Sequence, residues 1–368
     1  MCYTDFTLNN RKRQNMKICD IQTPALVVDL EKFRKNAEKM KNIIQGTSLS
    51  LRPHYKSHKC AEIAHEQIKD GAIGLCCAKL SEAEDLVDAG IEDVLIANQI
   101  VDKAKIARLA YLARAARLTV CVDNEKNILD IEAAAAVAGS TVYCLIEFEI
   151  GMRRCGVKRN EDVSRLVSVI DSCPHLVFDG IQAYAGHISH TASAEERRSE
   201  TEKNSKKIKE LISYLSRCGI EVRVLSGGST GTSMIKAGEG LYTELQCGSY
   251  LFMDSTYREL GLPFENSLFL LATVVSVSEG LVVVDAGVKS CGVDQGMPVP
   301  LGFTVSRVVD SEEHFQLHNP SKRFSIGDKV LLLPAHCCST VNLHEKIYVL
   351  DGEKVIKRYQ ITARGRFN

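Results

Sequence analysis

Arg52-Pro53-His54-Tyr55-Lys56-Ser57-His58-Lys59 closes the apolar run Leu49 to Leu51 with a lysine among ionisable neighbours. Repulsion from Arg52 and Lys59, together with desolvation, disfavours the ammonium and leaves a nucleophilic amine able to hold a carbonyl cofactor as a Schiff base. A basic surface loop uses the same residues. Leu225-Ser226-Gly227-Gly228-Ser229-Thr230-Gly231-Thr232 combines adjacent glycines with hydroxyls, which suits either a phosphate cradle or a plain turn. Gln246-Cys247-Gly248-Ser249-Tyr250 can close a second side of the same anion. Ala183-Tyr184-Ala185-Gly186-His187-Ile188-Ser189-His190 sets a tyrosine and two histidines after an apolar segment, as a proton relay or as packed side chains. Gly151-Met152-Arg153-Arg154-Cys155-Gly156 carries paired arginines, either of which can reach a cofactor oxygen. In Pro334-Ala335-His336-Cys337-Cys338, a histidine and a cysteine two apart face one side if the segment is extended. Their nitrogen and sulfur suit zinc, while buried cysteines beside an incidental histidine give the same spacing.

These residues need a scaffold, and the pattern around them alternates apolar strands with amphipathic helices. Strands are expected at Ala25 to Leu30, Leu49 to Lys56, Ile73 to Lys79, Asp93 to Gln99, Leu118 to Asp123, Val142 to Glu149, Phe178 to His187, Val222 to Ser226 and Tyr242 to Leu251. Roughly eight strand–helix units in about 230 residues fit a (β/α)8 barrel better than an open sheet, and no Gly-x-Gly-x-x-Gly opens the first helix. Lys56, Arg154, His187, the Gly227-Gly228 turn and Ser249 all fall at or just after strand ends, the face on which barrel chemistry sits. Beyond Asp254 the pattern changes to β-branched runs at Leu268 to Val277, Leu281 to Asp285 and Lys329 to Pro334, and to a hairpin around Asp351-Gly352. The expected organisation is an N-terminal arm over residues 1–22 containing Arg11-Lys12-Arg13, a barrel over 23–255, and a β-rich domain over 256–368.

The 368 residues carry 46 basic and 46 acidic side chains, so charge gives no reason to expect nucleic acid or an anionic membrane as partner. No apolar stretch reaches the roughly 18 residues of a membrane span, and none has signal-peptide character. A cytoplasmic, reducing compartment is expected. The fourteen cysteines form no Cys-x-x-Cys pair and sit mostly in apolar runs, as Cys76, Cys77, Cys121 and Cys144 do, which argues for free buried thiols.

Several of these segments, taken in order, resemble one enzyme family. His54-Tyr55-Lys56-Ser57-His58-Lys59, Cys76-Cys77-Ala78-Lys79-Leu80-Ser81-Glu82-Ala83-Glu84, Arg154-Cys155-Gly156-Val157, Tyr242-Thr243-Glu244-Leu245-Gln246, Gly248-Ser249-Tyr250 and Thr340-Val341-Asn342-Leu343 are similar to the D-threonine aldolase and D-serine dehydratase family. The resemblance runs from about Thr23 to Gly365. It implies the alanine racemase type of fold, a (β/α)8 barrel with a second, mostly β C-terminal domain, and pyridoxal 5'-phosphate as cofactor. On that resemblance Lys56 is the Schiff-base lysine, Arg154 lies near the cofactor's phenolate oxygen, Tyr184 lies beside its ring, and His190 is the base, with His187 as rival. Gly227, Gly228, Gly248 and Ser249 bind the phosphate, and His336 and Cys338 hold a divalent metal, zinc first and manganese second. A homodimer acting on a small D-amino acid is expected.

The sequence also departs from the family. The aldolases usually carry His-Cys-Asp where His336-Cys337-Cys338 stands, whereas the dehydratases place a cysteine at the second ligand position. Ser57 replaces a usual threonine and Ala78 a usual glutamine. The reaction expected first is retro-aldol cleavage of a D-threonine-like substrate to glycine and an aldehyde. Dehydration of D-serine or D-3-hydroxyaspartate to a 2-oxo acid and ammonia is the alternative, and racemisation is third. A cofactor-binding protein without turnover and a zinc-dependent barrel hydrolase are the readings from other classes.

Overall fold

The computed structural model describes residues 16–368, so Arg11-Lys12-Arg13 and most of the expected arm lie outside the described residues. The chain forms two compact units. One contains the residues up to Lys39, Ser57–Cys60 and Ser249–Gly365; the other contains Met40–Lys56, Ala61–Gly248 and Arg366–Asn368.

Strand β1 (Ala25–Asp29) belongs to the first unit. The second is built on β2 (Ser50–Leu51), β3 (Leu75–Cys77), β4 (Asp93–Ile96), β5 (Arg117–Val122), β6 (Val142–Glu147), β7 (Leu176–Ala183), β8 (Val224–Gly227) and β9 (Glu244–Leu245). These eight pair in parallel in the order β2-β9-β8-β7-β6-β5-β4-β3. A parallel bridge between His54 and Cys76 joins the two ends of that path, as a closed barrel requires. Cys76, Leu95, Cys121 and Leu145 meet in one buried cluster, so the cysteines of the apolar runs fill the interior as small hydrophobes. None of the cysteines among the described residues is in a disulfide. Helices between strands start and stop where local chemistry dictates. Glu125–Ala138 begins at Asn124, whose side chain accepts from the Lys126 and Asn127 amides, and it ends at Gly139 with φ +61°. Parallel pairing brings the C-terminal ends of all eight strands to one side, which is where Lys56, Tyr184, Gly228 and Gln246 follow.

The β-rich unit contains β10 (Leu268–Ser278), β11 (Leu281–Val284), β12 (Val299–Pro300), β13 (Arg307–Asp310), β14 (Phe315–His318), β15 (Lys329–Leu333), β16 (Lys346–Asp351) and β17 (Lys354–Gln360). Its nine-stranded sheet runs β13-β14-β11-β10-β1-β16-β17, with β15 pairing both β10 and β12. Here the sequence expectation is corrected. Ala25 to Leu30 reads as the head of the barrel alternation, but Ala25–Val28 pair antiparallel with Leu268–Leu271 and Leu26–Asp29 pair parallel with Ile347–Leu350. A run buried on both faces looks the same in either sheet, so periodicity could not separate them. Ile21, Val27, Phe269, Leu271, Leu333, Tyr348 and Val355 form the core on one face. At the end of the arm, the Ile18 amide donates to Glu353 O at 2.8 Å and so ties the chain to this sheet. No helix among the described residues is long and apolar enough to cross a membrane.

Candidate active site

Lys56 sits in a single 3-10 turn, Tyr55–Ser57, after β2. The turn is anchored from below by the fully buried Tyr55, whose hydroxyl donates to Asp85 Oδ2 at 2.5 Å. Lys56 and Arg154 help to line a cavity of about 140 Å³ together with His54, Asn98, Tyr184 and Gln246. Lys56 Nζ is 6.0 Å from the centre of the Tyr184 ring and the Arg154 guanidinium carbon is 5.7 Å from it, so two cations lie against one aromatic ring.

Arg52 does not crowd Lys56 as its place in the sequence suggests. Arg52 is buried and its charge is already balanced: Nε reaches both Glu244 oxygens at 3.0 and 2.9 Å, and a terminal nitrogen reaches Asp93 at 2.7 Å. Glu244 also accepts from Ser226 Oγ at 2.6 Å, Ser226 Oγ accepts from Gln246 Nε2 at 2.7 Å, and that same amide donates to Gln182 at 2.6 Å. This buried network pins Gln182 and Gln246 at the cavity wall through charge-assisted bonds. Sequence reading missed most of it, because glutamines and glutamates on strands carry no periodic signal.

Arg154 is held from behind. Glu147, at the end of β6, lies 3.7 Å from its guanidinium and accepts from Gln99 Nε2 at 2.6 Å. Burial raises the Glu147 carboxyl above its ordinary range, and nearby Asp123 adds to the rise, while Gln99 and Arg154 oppose it. Between the paired arginines, which spacing could not separate, only Arg154 lines the cavity; Arg153 donates its amide to Glu149 Oε1 at 2.8 Å.

The Gly227-Gly228 turn follows β8. Gly228 has φ +76°, and a Cβ there would lie 2.8 Å from the Leu245 side chain, so only glycine fits. Close by in sequence, Thr230 Oγ1 and Lys236 Nζ are buried without a hydrogen-bond partner, and Ser189 Oγ is in the same state. Ser189 meets this segment directly, since a Cβ on Gly231 would collide with its carbonyl oxygen. Buried donors left unpaired beside a glycine turn are what an anion would satisfy, so these residues fit a phosphorylated cofactor.

After β7 the chain does not stay extended to His187, as expected, but leaves the strand at Ala183 and makes a 3-10 turn at Gly186–Ile188. Strand alternation therefore does not decide between His187 and His190. Both rings are exposed, and neither histidine lines the Lys56 cavity.

In the β-rich unit, His336 and Cys338 are not on an extended segment. His336 caps a short helix, Cys337–Val341, and Cys338 lies in its first turn. Asp254, unnoticed in the sequence, fixes this start by accepting from the Cys337 amide at 3.0 Å, and it also caps Ser255–Arg258 through the Tyr257 amide at 3.0 Å. His336 Nδ1 donates to Asp294 Oδ2 at 2.6 Å, and Ser339 Oγ donates to Asp294 Oδ1 at 2.6 Å. Burial opposes charge on His336, yet Cys338 and Asp294 push its imidazole up to about 9. Cys338 Sγ is 3.6 Å from Ser57 Oγ and 4.0 Å from Ser249 Oγ. No group of three or more His, Cys, Asp or Glu side chains that could hold a metal ion is found among the described residues. Asp294 thus orients the His336 ring beside Cys338. One nitrogen and one sulfur fit an open zinc site better than a closed one.

Family models match the chain in two stretches: alanine racemase, N-terminal domain over residues 28–256, and a putative serine dehydratase domain over residues 267–350. The chain is 38% identical to D-threonine aldolase of Arthrobacter, covering 94% of this chain and 93% of that one. It is 36% identical to 3-hydroxy-D-aspartate aldolase of Paracoccus denitrificans, again over 94% and 93%. The crystal structure of D-threonine aldolase from Filomicrobium marinum superposes with a TM-score of 0.93 at 38% identity, covering 96% of this chain and 99% of that one. D-threo-3-hydroxyaspartate dehydratase of Delftia is more distant, at 26% identity over 87% and 92%. Barrel, β-rich unit and near-full-length relatives agree: this chain belongs to the pyridoxal phosphate-dependent lyases of alanine racemase fold, the family of the D-threonine aldolases and D-serine dehydratases.

Proposed function

We propose that this lyase cleaves D-β-hydroxy-α-amino acids of the D-threonine type to glycine and an aldehyde. The observation that carries the reading is the near-full-length likeness to two aldolases at 36% and 38% identity, against 26% for a dehydratase. Lys56 would hold the cofactor covalently through its amine, a role supported by its place on the cavity wall beside Tyr184. Arg154, backed by Glu147, would hold the phenolate oxygen, and Tyr184 would flank the ring. Gly227, Gly228, Gly248 and Ser249 would take the phosphate, with Thr230 supplying an unpaired hydroxyl. When bound, pyridoxal phosphate supplies the electron sink for the pair released at Cα.

In the cleavage itself His190 would take the proton from the β-hydroxyl as the Cα–Cβ bond breaks. His336 and Cys338 would hold a divalent metal whose Lewis acidity makes that hydroxyl more acidic; the thiol favours zinc, with manganese second. A cytoplasmic homodimer completes this reading.

One observation favours the dehydratase alternative: Cys338 stands where the family's dehydratases carry cysteine. There Lys56 would take the α-proton and the hydroxyl would leave, giving a 2-oxo acid and ammonia. Incubating the purified holoenzyme with D-threonine and with D-serine, with and without chelator, tests the choice. Glycine and acetaldehyde from D-threonine, lost on chelation, are the expected result. Ammonia and 2-oxo acid without glycine would replace the aldolase reading by the dehydratase one.

A further inference from the structure

Lys236 has no role in the chemistry above, yet few cations in the molecule are so enclosed. It lies on the helix Ser233–Glu239 and is 1% exposed, and its Nζ finds no hydrogen-bond partner. The amine lies over the Tyr242 ring instead, with Nζ 3.8 Å from the centroid. Tyr242 is itself buried and donates its hydroxyl to Ala183 O at 2.9 Å, so the ring cannot turn away. The acid closest in sequence, Glu239, takes the Ser205 hydroxyl at 2.7 Å and makes no ion pair with Lys236. Burial, against weak pulls from Glu239 and Cys247, brings the Lys236 ammonium down to about 8. Cys247 offers no counter-charge, because burial pushes its thiol up to about 12.

The position of this amine gives it a use. The side-chain space of Gly228 is shared by Leu245 and Lys236: a Cβ there would lie 3.1 Å from the lysine Cδ and 3.7 Å from its Cε. A Cβ on Gly227 would meet the Ala183 carbonyl oxygen first and would lie 2.9 Å from a carbon of the Tyr242 ring. The two glycines thus lie directly on the lysine stem and the tyrosine ring. An uncompensated cation is packed behind the turn on which the unpaired Thr230 hydroxyl follows. A buried ammonium without an anion is unfavourable, and it becomes favourable once an anion is fixed nearby.

We propose that Lys236 is the built-in counter-charge of the phosphate held by the Gly227-Gly228 turn, a positioning residue that makes the site select the phosphorylated cofactor over its unphosphorylated form. The inference rests on the reading of that turn as the phosphate site. Its distinguishing consequence is that Lys236 acts on the phosphate and not on the aldehyde end, so pyridoxal binding should not depend on it.

The test uses apoenzyme prepared from the full chain and titrated with pyridoxal phosphate, with pyridoxal, and with inorganic phosphate, followed by cofactor absorbance and thermal melting. Lys236→Met keeps the stem that supports Gly228 and removes only the charge. It should weaken pyridoxal phosphate and inorganic phosphate roughly ten- to a hundredfold, the range of a lost charge-assisted interaction, and leave pyridoxal unchanged. Equal loss for both cofactor forms, or no loss for either, overturns the proposal. Thr230→Val runs alongside. If it discriminates against phosphate while Lys236→Met does not, the turn is the phosphate site and Lys236 is only packing; if neither discriminates, the reading of the turn fails as well. Should Lys236→Met not fold, the wild-type apoenzyme with 13Cε-labelled lysine answers the same question. Phosphate should shift the Lys236 signal and pyridoxal should not, and an unmoved signal at saturating phosphate overturns the assignment.

Discussion

The barrel unit and the β-rich unit treat their polar side chains in opposite ways. Around the glycine turn of the barrel, Thr230, Ser189 and Lys236 keep donors buried and unpaired, although a deeper layer, Arg52 with Glu244 and Asp93, is fully paired. Around His336 the partners are acceptors and sulfur: Asp294 on one ring nitrogen, Cys338 beside it, and Asp254 under the helix start. Each unpaired buried donor costs about 1–3 kcal/mol in the apoprotein. On the proposed reading those donors would meet an anion, and the carboxylate-oriented imidazole next to a thiol would meet a cation. The contrast teaches that, on that reading, the two regions are separable by experiment, one failing through the cofactor and the other through the metal.

The largest expected effect is on the barrel side. Lys56→Ala should abolish turnover and covalent attachment of the cofactor while leaving metal content unchanged, since no comparable lysine lines that cavity. Borohydride reduction of the holoenzyme followed by peptide mapping checks it, and a label on Lys59 or Lys79 would reassign the residue. His190→Ala comes next, with a loss of about 10²–10⁴-fold in cleavage and little change in cofactor binding. Single-turnover rates for His187→Ala in parallel decide between the two. If His187 carries the loss and His190 does not, the base is the other histidine.

A smaller effect sharpens the metal side. Asp294→Ala should lower metal affinity roughly 10–100-fold without touching the cofactor spectrum, because His336 loses the group that orients it. Metal titration of the apoprotein measures this, and unchanged affinity would make the Asp294 contact incidental. The last effect is on stability and not on binding or turnover. The Lys236 amine binds its proton more weakly in the folded chain, at about 8, than at its ordinary 10.5. Between these values the unfolded chain holds more protons, so apoprotein stability should rise with pH, by up to about 3 kcal/mol. Denaturant melts of wild type minus Lys236→Met across that window isolate the contribution. A difference that stays flat would show that Lys236 is not a buried charge.

Much of this was legible beforehand wherever a local rule governs. The barrel strands from Leu49 to Leu251 followed from alternation, and the hairpin at Asp351-Gly352 followed from its turn residues; the structure has β16 and β17 on either side of it. Lys56, Arg154 and Tyr184 stood at strand ends and meet around one cavity. What stayed hidden depends on long-range pairing. β1 could not be assigned to a sheet, the short strands β12 to β14 lack dense apolar runs, and the Gln246-Ser226-Glu244-Arg52 chain joins residues almost 200 positions apart.

By itself the sequence determined the family and the types of side chain available: a lysine after an apolar run, hydroxyls with paired glycines, and a histidine with a nearby thiol. Those are properties of residue identity and short spacing, which no folding event alters. Only the tertiary structure decided which charges are cancelled and which are left waiting. Arg52 reads as a neighbour of Lys56 in sequence but spends its charge on Glu244 and Asp93, while Lys236 is buried behind a glycine turn with no hydrogen-bond partner for its amine. Electrostatic energy depends on distance and burial, and both are set by strands that come together from opposite ends of the barrel sequence.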